Sequence, residues 1–228
     1  MSWECWMFNI ELPLSVNPSS EIVYTANAKI KRVFDFCTAG ILMFCLIPLL
    51  ILVTSALFFF DRGPIIFKQT RIGQGGKRFT CFKFRSMVQG SEQLLQFLLD
   101  NDPAARAEWE RSQKLSNDPR ITPIGRFLRQ SSLDELPQLI NVMRGEMSLV
   151  GPRPIVPSEA ARYGDKLGIY LLAKPGMTGV WQVSGRNDCS YERRIELDAD
   201  YVRHANFVSD LAILWRTLSA VILRKGCY

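Results

Sequence analysis

Histidine is almost missing from this 228-residue chain: His204 is the only one. That argues against a His-rich metal site and against a His-based triad, since a lone histidine is more often structural. The six cysteines (Cys5, Cys37, Cys45, Cys81, Cys189 and Cys227) form no C-x-x-C pair, and two of them lie inside an apolar run. This argues for reduced thiols and against a disulfide framework or a zinc knuckle. Residues 1–28 contain no Lys or Arg, only Glu4, Glu11 and Glu21. Without a basic segment ahead of a short apolar core, this stretch does not read as a secretory signal. Its prolines and the Ser19-Ser20 pair predict a loosely ordered tail over 1–28. No internal repeat or low-complexity tract is present.

The longest absence is of charge. From Phe36 to Phe60 no residue is charged, a run of about 25 residues and long enough to cross a bilayer as one helix. Pro48 sits near its middle and removes a backbone donor. Both flanks are basic, with Lys29, Lys31 and Arg32 before and Arg62, Lys68 and Arg71 after. The positive-inside rule therefore sends both ends to the cytoplasm. A helix kinked at Pro48 that enters and leaves the same leaflet meets both conditions, so 29–60 is expected to be a re-entrant, monotopic anchor. The remainder, 61–228, is expected to be one compact cytosolic domain. The net charge of +6 favours polyanionic partners.

Within that domain, Gly73-Gln74-Gly75-Gly76 predicts a hairpin turn leading into Arg78–Arg85. Alternation puts Phe79, Cys81 and Lys83 on one face of that strand and Thr80, Phe82 and Phe84 on the other. Nothing in its mixture of aromatics and cations matches a nucleic-acid module, and nucleic acid is not expected as a partner. Residues 91–115 read as two helical pieces, the second starting at Pro103. Arg153 lies between Pro152 and Pro154 on a stiffened segment, a suitable holder for a phosphate. Further helices are expected near 158–173, from a Ser190 cap to about Arg203, and over Asp210–Leu223. The last places Leu211, Leu214, Trp215, Leu218, Val221 and Ile222 on one broad face, suited to a membrane interface or equally to a core.

The chain's focus is Ser132-Leu133-Asp134-Glu135-Leu136-Pro137-Gln138-Leu139. Ser132 and Glu135 have the S-x-x-E spacing of a capping box, and the apolar residues that follow recur at helical spacing to a Gly145 C-cap. Two adjacent carboxylates at a helix start, with Arg126, Arg129, Arg144 and Arg153 nearby in sequence, either cap that helix or do chemistry. An ionised Asp there is placed to hold a metal or to attack phosphorus.

Five ordered motifs carry a resemblance. Phe82-Lys83-Phe84-Arg85-Ser86-Met87, the Ser132–Leu139 stretch, Gly151-Pro152-Arg153-Pro154, Lys174-Pro175-Gly176-Met177-Thr178-Gly179 and Gln182-Val183-Ser184-Gly185-Arg186-Asn187 together resemble the bacterial sugar transferases, the monotopic phosphoglycosyl transferases, over about residues 29–228. Among these the chain is most similar to the short enzymes that initiate acidic exopolysaccharides such as succinoglycan and lack the multi-span N-terminal region of longer relatives. The resemblance implies transfer of a hexose 1-phosphate, glucose or galactose, from a UDP-hexose to undecaprenyl phosphate, with release of UMP. It implies Asp134 as covalent nucleophile, Glu135 as its partner, and Mg²⁺ held by Asp134 and Glu135. It also implies work at the cytoplasmic face of the bacterial inner membrane, among membrane lipid, and allows a homodimer. Lys83, Arg85, Arg129 and Arg153 are the expected phosphate clamp, and Gly185 and Arg186 the expected nucleotide contacts. Two departures stand out: Ile47 precedes Pro48 where relatives often have Ser, and Ser86 replaces a frequent Thr. A non-catalytic nucleotide-sugar-binding scaffold and a nucleotide-sugar hydrolase are the competing readings. The expected fold is α+β and mostly helical: a kinked membrane helix, amphipathic interfacial helices and a small β-hairpin.

Overall fold

The computed structural model of the protein describes residues 18–61, 63–112, 115–184 and 190–222. Its architecture is mostly helical, with one small antiparallel sheet as expected and a second, parallel one that the sequence did not announce. Helix α1 (Pro18–Cys45) runs into α2 (Ile47–Phe60) through a break at Leu46. The two axes are bent by 62°. Pro48, in the first turn of α2, has no N–H for the carbonyl four residues back, so the ladder is interrupted there. Ile47 in the place of a hydroxyl does not prevent the break.

Among the described residues no single helix is long and apolar enough to cross a membrane; Ala28–Cys45 and Ile47–Phe60 meet the length and composition of a span only when taken together as a bent pair. Phe44, Ile51, Leu52, Phe58, Phe59 and Phe60 point outward, Phe60 at 81% exposure. Residues 18–28, expected as part of a loose tail, instead form the first turns of α1. Proline at a first helical position costs no hydrogen bond. Residues 1–17 of that expected tail, and Arg62 of the basic flank, lie outside the described residues.

The basic flank before the apolar run is spent largely on the protein. Arg32 donates from Nη1 to Val142 O (2.6 Å) and from Nη2 to Met143 O (2.8 Å). Those are carbonyls in the last turn of α6 (Gln138–Arg144), where the regular helical ladder runs out; Val142 O also accepts from Gly145 N at 3.0 Å. Lys31 pairs with buried Asp210, which also accepts a 2.6 Å hydrogen bond from Tyr201. Asp35 accepts from Leu149 N at 3.2 Å.

Strands β1 (Ile66–Ile72) and β2 (Arg78–Phe84) form the expected hairpin, with Ile66 opposite Phe84 and Ile72 opposite Arg78. Gly75 and Gly76 take left-handed φ at its turn, where a Cβ would be strained. Phe79 and Cys81 are buried on the alternating face. They meet Leu139, Val142, Met147 and Leu149 in the main core. On the other side, Phe84 packs with Val53 and Leu57 of α2 and with Leu128. Helices α3 (Ser91–Asn101) and α4 (Pro103–Ser112) make a projecting pair. Thr122 caps α5 (Pro123–Gln130) through its hydroxyl on Gly125 N (2.9 Å).

Strand β3 (Ser148–Val150) then pairs in parallel with β4 (Gly176–Thr178). Between them lie a 3₁₀ segment (Pro157–Lys166) and α7 (Leu167–Leu172), where one helix near 158–173 was expected. Helix α8 (Val180–Val183), α9 (Tyr191–His204) and α10 (Phe207–Ile222) complete the chain. Ser190 caps α9 as the sequence predicts, accepting from Arg193 N at 3.2 Å. The single apolar face expected for α10 is in fact two. Asp210 and Ile213 are buried and Leu214 packs against the core, whereas Val208, Leu211, Trp215 and Leu218 are exposed.

The β3–β4 pair depends on close backbone approach. A Cβ on Gly176 would lie 2.1 Å from Gly151 N and 2.5 Å from Thr178 O, both rigid backbone atoms. Gly176→Ala is therefore expected to destabilise the folded protein by at least about 3 kcal/mol, above ordinary overpacking. Thermal denaturation in detergent measures it, against a Gly168→Ala control whose added Cβ meets nothing within 4 Å.

Candidate active site

The dyad sits on a turn, not on the start of a helix. Ser132 has φ 57°, the only left-handed non-glycine among the described residues, and its side chain caps nothing. Leu133–Glu135 form one 3₁₀ turn, and α6 begins only at Gln138. The capping box that the S-x-x-E spacing predicts is not formed. The reason is Pro137: with no N–H to return to Leu133 O, the segment closes by shorter bonds, Leu136 N to Leu133 O (3.2 Å) and Ile140 N to Pro137 O (3.1 Å). At the far end Gly145 does take the left-handed C-cap conformation. The turn leaves Asp134 only 8% exposed and Glu135 half-buried.

The side chains around it come from four separate elements. Lys83, on β2, contacts Glu135 at 2.6 Å. Asn141 of α6 holds β2 in place for this, accepting from Phe82 N (3.1 Å) and donating to Thr80 O (2.7 Å). Arg129, at the end of α5, donates to Ser86 Oγ at 2.8 Å, and of all carboxylates Asp134 acts on its charge most strongly. Arg153 follows the β3–β4 pair, whose zipper includes Gly151 N to Thr178 O (2.9 Å) and Gly176 N to Pro152 O (2.8 Å). It lines a small open cleft together with Lys83, Glu135, Arg71, Cys81 and Gln138.

Of the expected clamp, then, Lys83 and Arg153 line this cleft beside Glu135, and Arg129 reaches Asp134 from the α5 side. Arg85 does not line it. It is buried 3.6 Å from Asp61, at the end of α2, with Nε and Nη1 unpartnered. Gly185 and Arg186 lie outside the described residues. Arg71 was missed, having been read as a membrane flank. It is buried, donates to Pro154 O at 2.8 Å and stands 3.8 Å from Glu159. Counting register back from the glycine turn would have found it: Arg71 is opposite Phe79 and so shares the face of Cys81 and Lys83.

Electrostatics separate the two carboxyl groups. Burial, then the neighbouring charge of Glu135, raises the Asp134 pKa to about 6; Lys83 and Arg129 offset this only in part. Burial works against Glu135 too, but the charge and hydrogen bond of Lys83, with Arg153 and Arg71, outweigh it and hold Glu135 below the usual carboxylate range. Burial also lowers the pKa of Arg71 and Arg129. Asp134 has no Lys or Arg nitrogen within 4.0 Å among the described residues. It is a desolvated carboxylate facing cations it does not touch, a reactive rather than a structural arrangement.

A divalent cation fits this donor set in one way. Among the described residues no three His, Cys, Asp or Glu side chains gather into a cage. Two adjacent carboxylates, one of them destabilised by the other, are the complement Mg²⁺ takes when phosphate oxygens and water complete its shell.

A sequence model described as bacterial sugar transferase matches residues 26–224. The chain is 52% identical over 199 residues to the undecaprenyl-phosphate galactose phosphotransferase of Salmonella typhimurium, covering 87% of this chain and 42% of that protein. It is 46% identical over 198 residues to the exopolysaccharide production protein ExoY of Sinorhizobium fredii, covering 87% and 88%. It is 35% identical over 225 residues to the UDP-glucose:undecaprenyl-phosphate glucose-1-phosphate transferase of Escherichia coli, covering 95% and 44%. The chain thus spans less than half the length of several curated relatives it matches.

The raised pKa of Asp134 has a stability consequence. The folded state holds this proton more tightly than the unfolded state, so the group costs nothing below about pH 4. The cost grows as pH rises from about 4 to about 6 and is complete above that. Asp134→Asn is expected to stabilise the protein at pH 7.5 by roughly 1–3 kcal/mol and to leave it nearly unchanged at pH 4. Denaturant titrations of both proteins at the two pH values test this; equal midpoints at pH 7.5 would mean Asp134 is not strained in its charged form.

Proposed function

We propose a reaction for this chain, which belongs to the bacterial sugar transferase family: transfer of a hexose 1-phosphate from a UDP-hexose to undecaprenyl phosphate, in two displacements at phosphorus. The observation that carries it is the buried, unpaired Asp134 carboxylate beside a Glu135 already neutralised by Lys83. A carboxylate attacking a diphosphate meets like charge, so the barrier falls only where fixed cations take up the phosphate oxygens. Lys83, Arg129, Arg153 and Arg71 supply such a field from rigid elements. Asp134 forms a bond to the β-phosphorus as the bond from that phosphorus to the bridging oxygen breaks, and UMP leaves. The phosphate oxygen of the lipid then attacks the phosphosugar-aspartate, and the Asp134 carboxylate is released unchanged.

Mg²⁺, held by Asp134 and Glu135 with substrate oxygens, would supply further charge neutralisation. The hexose is taken as galactose or glucose because relatives are named for those transfers. Initiation of an exopolysaccharide agrees with the relative named for its production.

The same reading puts the bent pair α1–α2 into one leaflet of the bacterial inner membrane from the cytoplasmic side, with the exposed stripe Val208, Leu211, Trp215 and Leu218 at the interface. This brings a water-insoluble acceptor, whose phosphate lies at the membrane face, to the depth of the dyad. In sealed inverted vesicles a tag ahead of residue 18 should be fully open to added protease; protection would mean a spanning helix.

The decisive experiment is intact-protein mass after mixing the detergent-solubilised enzyme with a UDP-hexose and Mg²⁺, without lipid. One hexose phosphate should be gained, then discharged by undecaprenyl phosphate, and the gain should be absent in Asp134→Asn, whose UMP release should fall at least about a thousandfold. Many turnovers of UMP release without acceptor would identify a hydrolase instead, and no gain with unchanged UMP release in Asp134→Asn would remove the nucleophile.

A further inference from the structure

Next to the dyad cleft lies a cluster that the reaction at phosphorus does not use. Arg153 belongs to both: it lines the cleft, and its guanidinium lies 5.6 Å from the centre of the Trp181 ring. On Trp181 a second guanidinium, that of Arg194, stacks at 4.2 Å and also lies 5.4 Å from the Tyr191 ring. Arg162 approaches Tyr191 at 5.0 Å. Among the described residues none of these three arginines has a carboxylate oxygen within 4.0 Å. Among the described residues the buried polar atoms Trp181 Nε1, Tyr191 Oη and Arg194 Nε have no hydrogen-bond partner. Neither does Oδ1 of Asp198, whose side chain is 1% exposed and whose Oδ2 takes a hydrogen bond from Tyr163 at 3.1 Å.

A structural cluster would satisfy those atoms and pair those charges. Here the guanidiniums are held mainly against aromatic planes, which orient a cation without neutralising it, and the one acidic group acting on Arg194 and Arg153 from within the cluster is the buried Asp198. Arg194 and Tyr191 are both half-buried, so part of each side chain is exposed. Planar cations and rings next to a phosphate cleft match a nucleoside phosphate: the base stacks and the phosphate reaches Arg153. The unpartnered polar atoms of the cluster are mostly donors. They suit a base with carbonyl oxygens on both sides of a ring nitrogen, as in uracil, better than adenine with its amino group.

We infer that Arg194, stacked on Trp181 beside Arg153, forms with Tyr191 the subsite for the nucleoside half of the donor, with Arg194 the residue on which the uracil ring rests. This rests on the proposed reaction and adds to it the residues that distinguish a uridine donor. Arg153 thereby joins the two halves, with the sugar-bearing phosphate on the dyad side and the UMP leaving group on the Trp181 side.

The test compares UMP with ribose 5-phosphate, which keeps the sugar and phosphate but lacks the base, by calorimetry on the full chain in lipid nanodiscs. Wild type should prefer UMP by about tenfold or more. In Arg194→Met that preference should collapse while ribose 5-phosphate binds within about threefold of wild type, a split that general misfolding would not produce. Arg194→Lys should behave similarly, because an ammonium offers no planar face, and it serves if the Met variant does not fold. An unchanged UMP preference in both variants overturns the subsite, and labelling of Asp134 by UDP-hexose would then show that the reaction still stands. If the wild type prefers AMP to UMP and Arg194→Met abolishes that preference, the stacking role holds and the uracil assignment and UDP donor fall. If wild type shows no preference for any nucleotide and no UDP-hexose labels Asp134, subsite and reaction fall together.

Discussion

Two carboxylates on consecutive residues cannot both carry charge in a half-dry cleft unless something fixed removes the charge of one. Here that is the 2.6 Å contact of Lys83 with Glu135, and much of the fold exists to hold it. Lys83 is on the second strand of a hairpin and Glu135 on a 3₁₀ turn, far apart in sequence. The buried Asn141 side chain ties the hairpin backbone to α6 on both sides of Cys81. Pro137 ends the turn and starts α6 in a single step. With Glu135 committed to Lys83, Asp134 is left desolvated, next to an anion and without a direct partner, and its high pKa follows. What sets Asp134 apart is what its neighbour has been given.

The apolar helices are built into the same framework. Arg32 closes the C-terminal end of α6, the helix that follows the dyad. Lys31 is joined through Asp210 to Tyr201, which donates to Val150 O at 3.2 Å. Asp35 accepts from Leu149 N. Leu149 and Val150 belong to the strand that delivers Arg153. The base of α1 therefore fixes both the helix behind the dyad and the strand ahead of its main arginine. The exposed phenylalanines of α2 are thus carried by a helix pair whose first member is tied through buried polar contacts to the turn that bears the dyad.

Features governed by local chemistry were legible in the sequence. The glycine turn, the alternation of Phe79 and Cys81, the break near Pro48, the Ser190 cap and the Gly145 C-cap all follow from the conformational limits of one or two residues. Features that depend on partners distant in sequence were not. Ser132 has the residue type and spacing of a cap, but Pro137, five positions on, changes the hydrogen-bond ladder and leaves it unused. Ser148–Val150 is too short to stand out as a strand, and only its parallel partner across the Gly151–Gly176 contact makes it one. Arg71 looked like a membrane flank because it follows an apolar run, whereas the hairpin register turns it into the cleft. Helix α10 carries apolar residues for two surfaces, which no single periodicity separates.

The arginines and lysines divide by how they are held. In the scaffold they pair with carboxylates: Lys31 with Asp210, Arg120 with Asp118 at 2.7 Å, Arg85 with Asp61. Around the cleft they are positioned mostly by groups that carry no negative charge: Arg71 by a carbonyl of Pro154, Arg129 by the hydroxyl of Ser86, Arg153 and Arg194 by the ring of Trp181. Orientation by dipoles and aromatic faces fixes a guanidinium without neutralising it. It also makes the cations repel one another, as the effect of Arg153 on Arg71 and Arg194 shows. A fold tolerates such a cost where an anion relieves it. The proposed reaction, which takes a diphosphate and then a lipid phosphate, needs charge that is already oriented and still unspent, and the cleft cations beside Glu135 and the buried Asp134 meet that need without a full set of carboxylate partners.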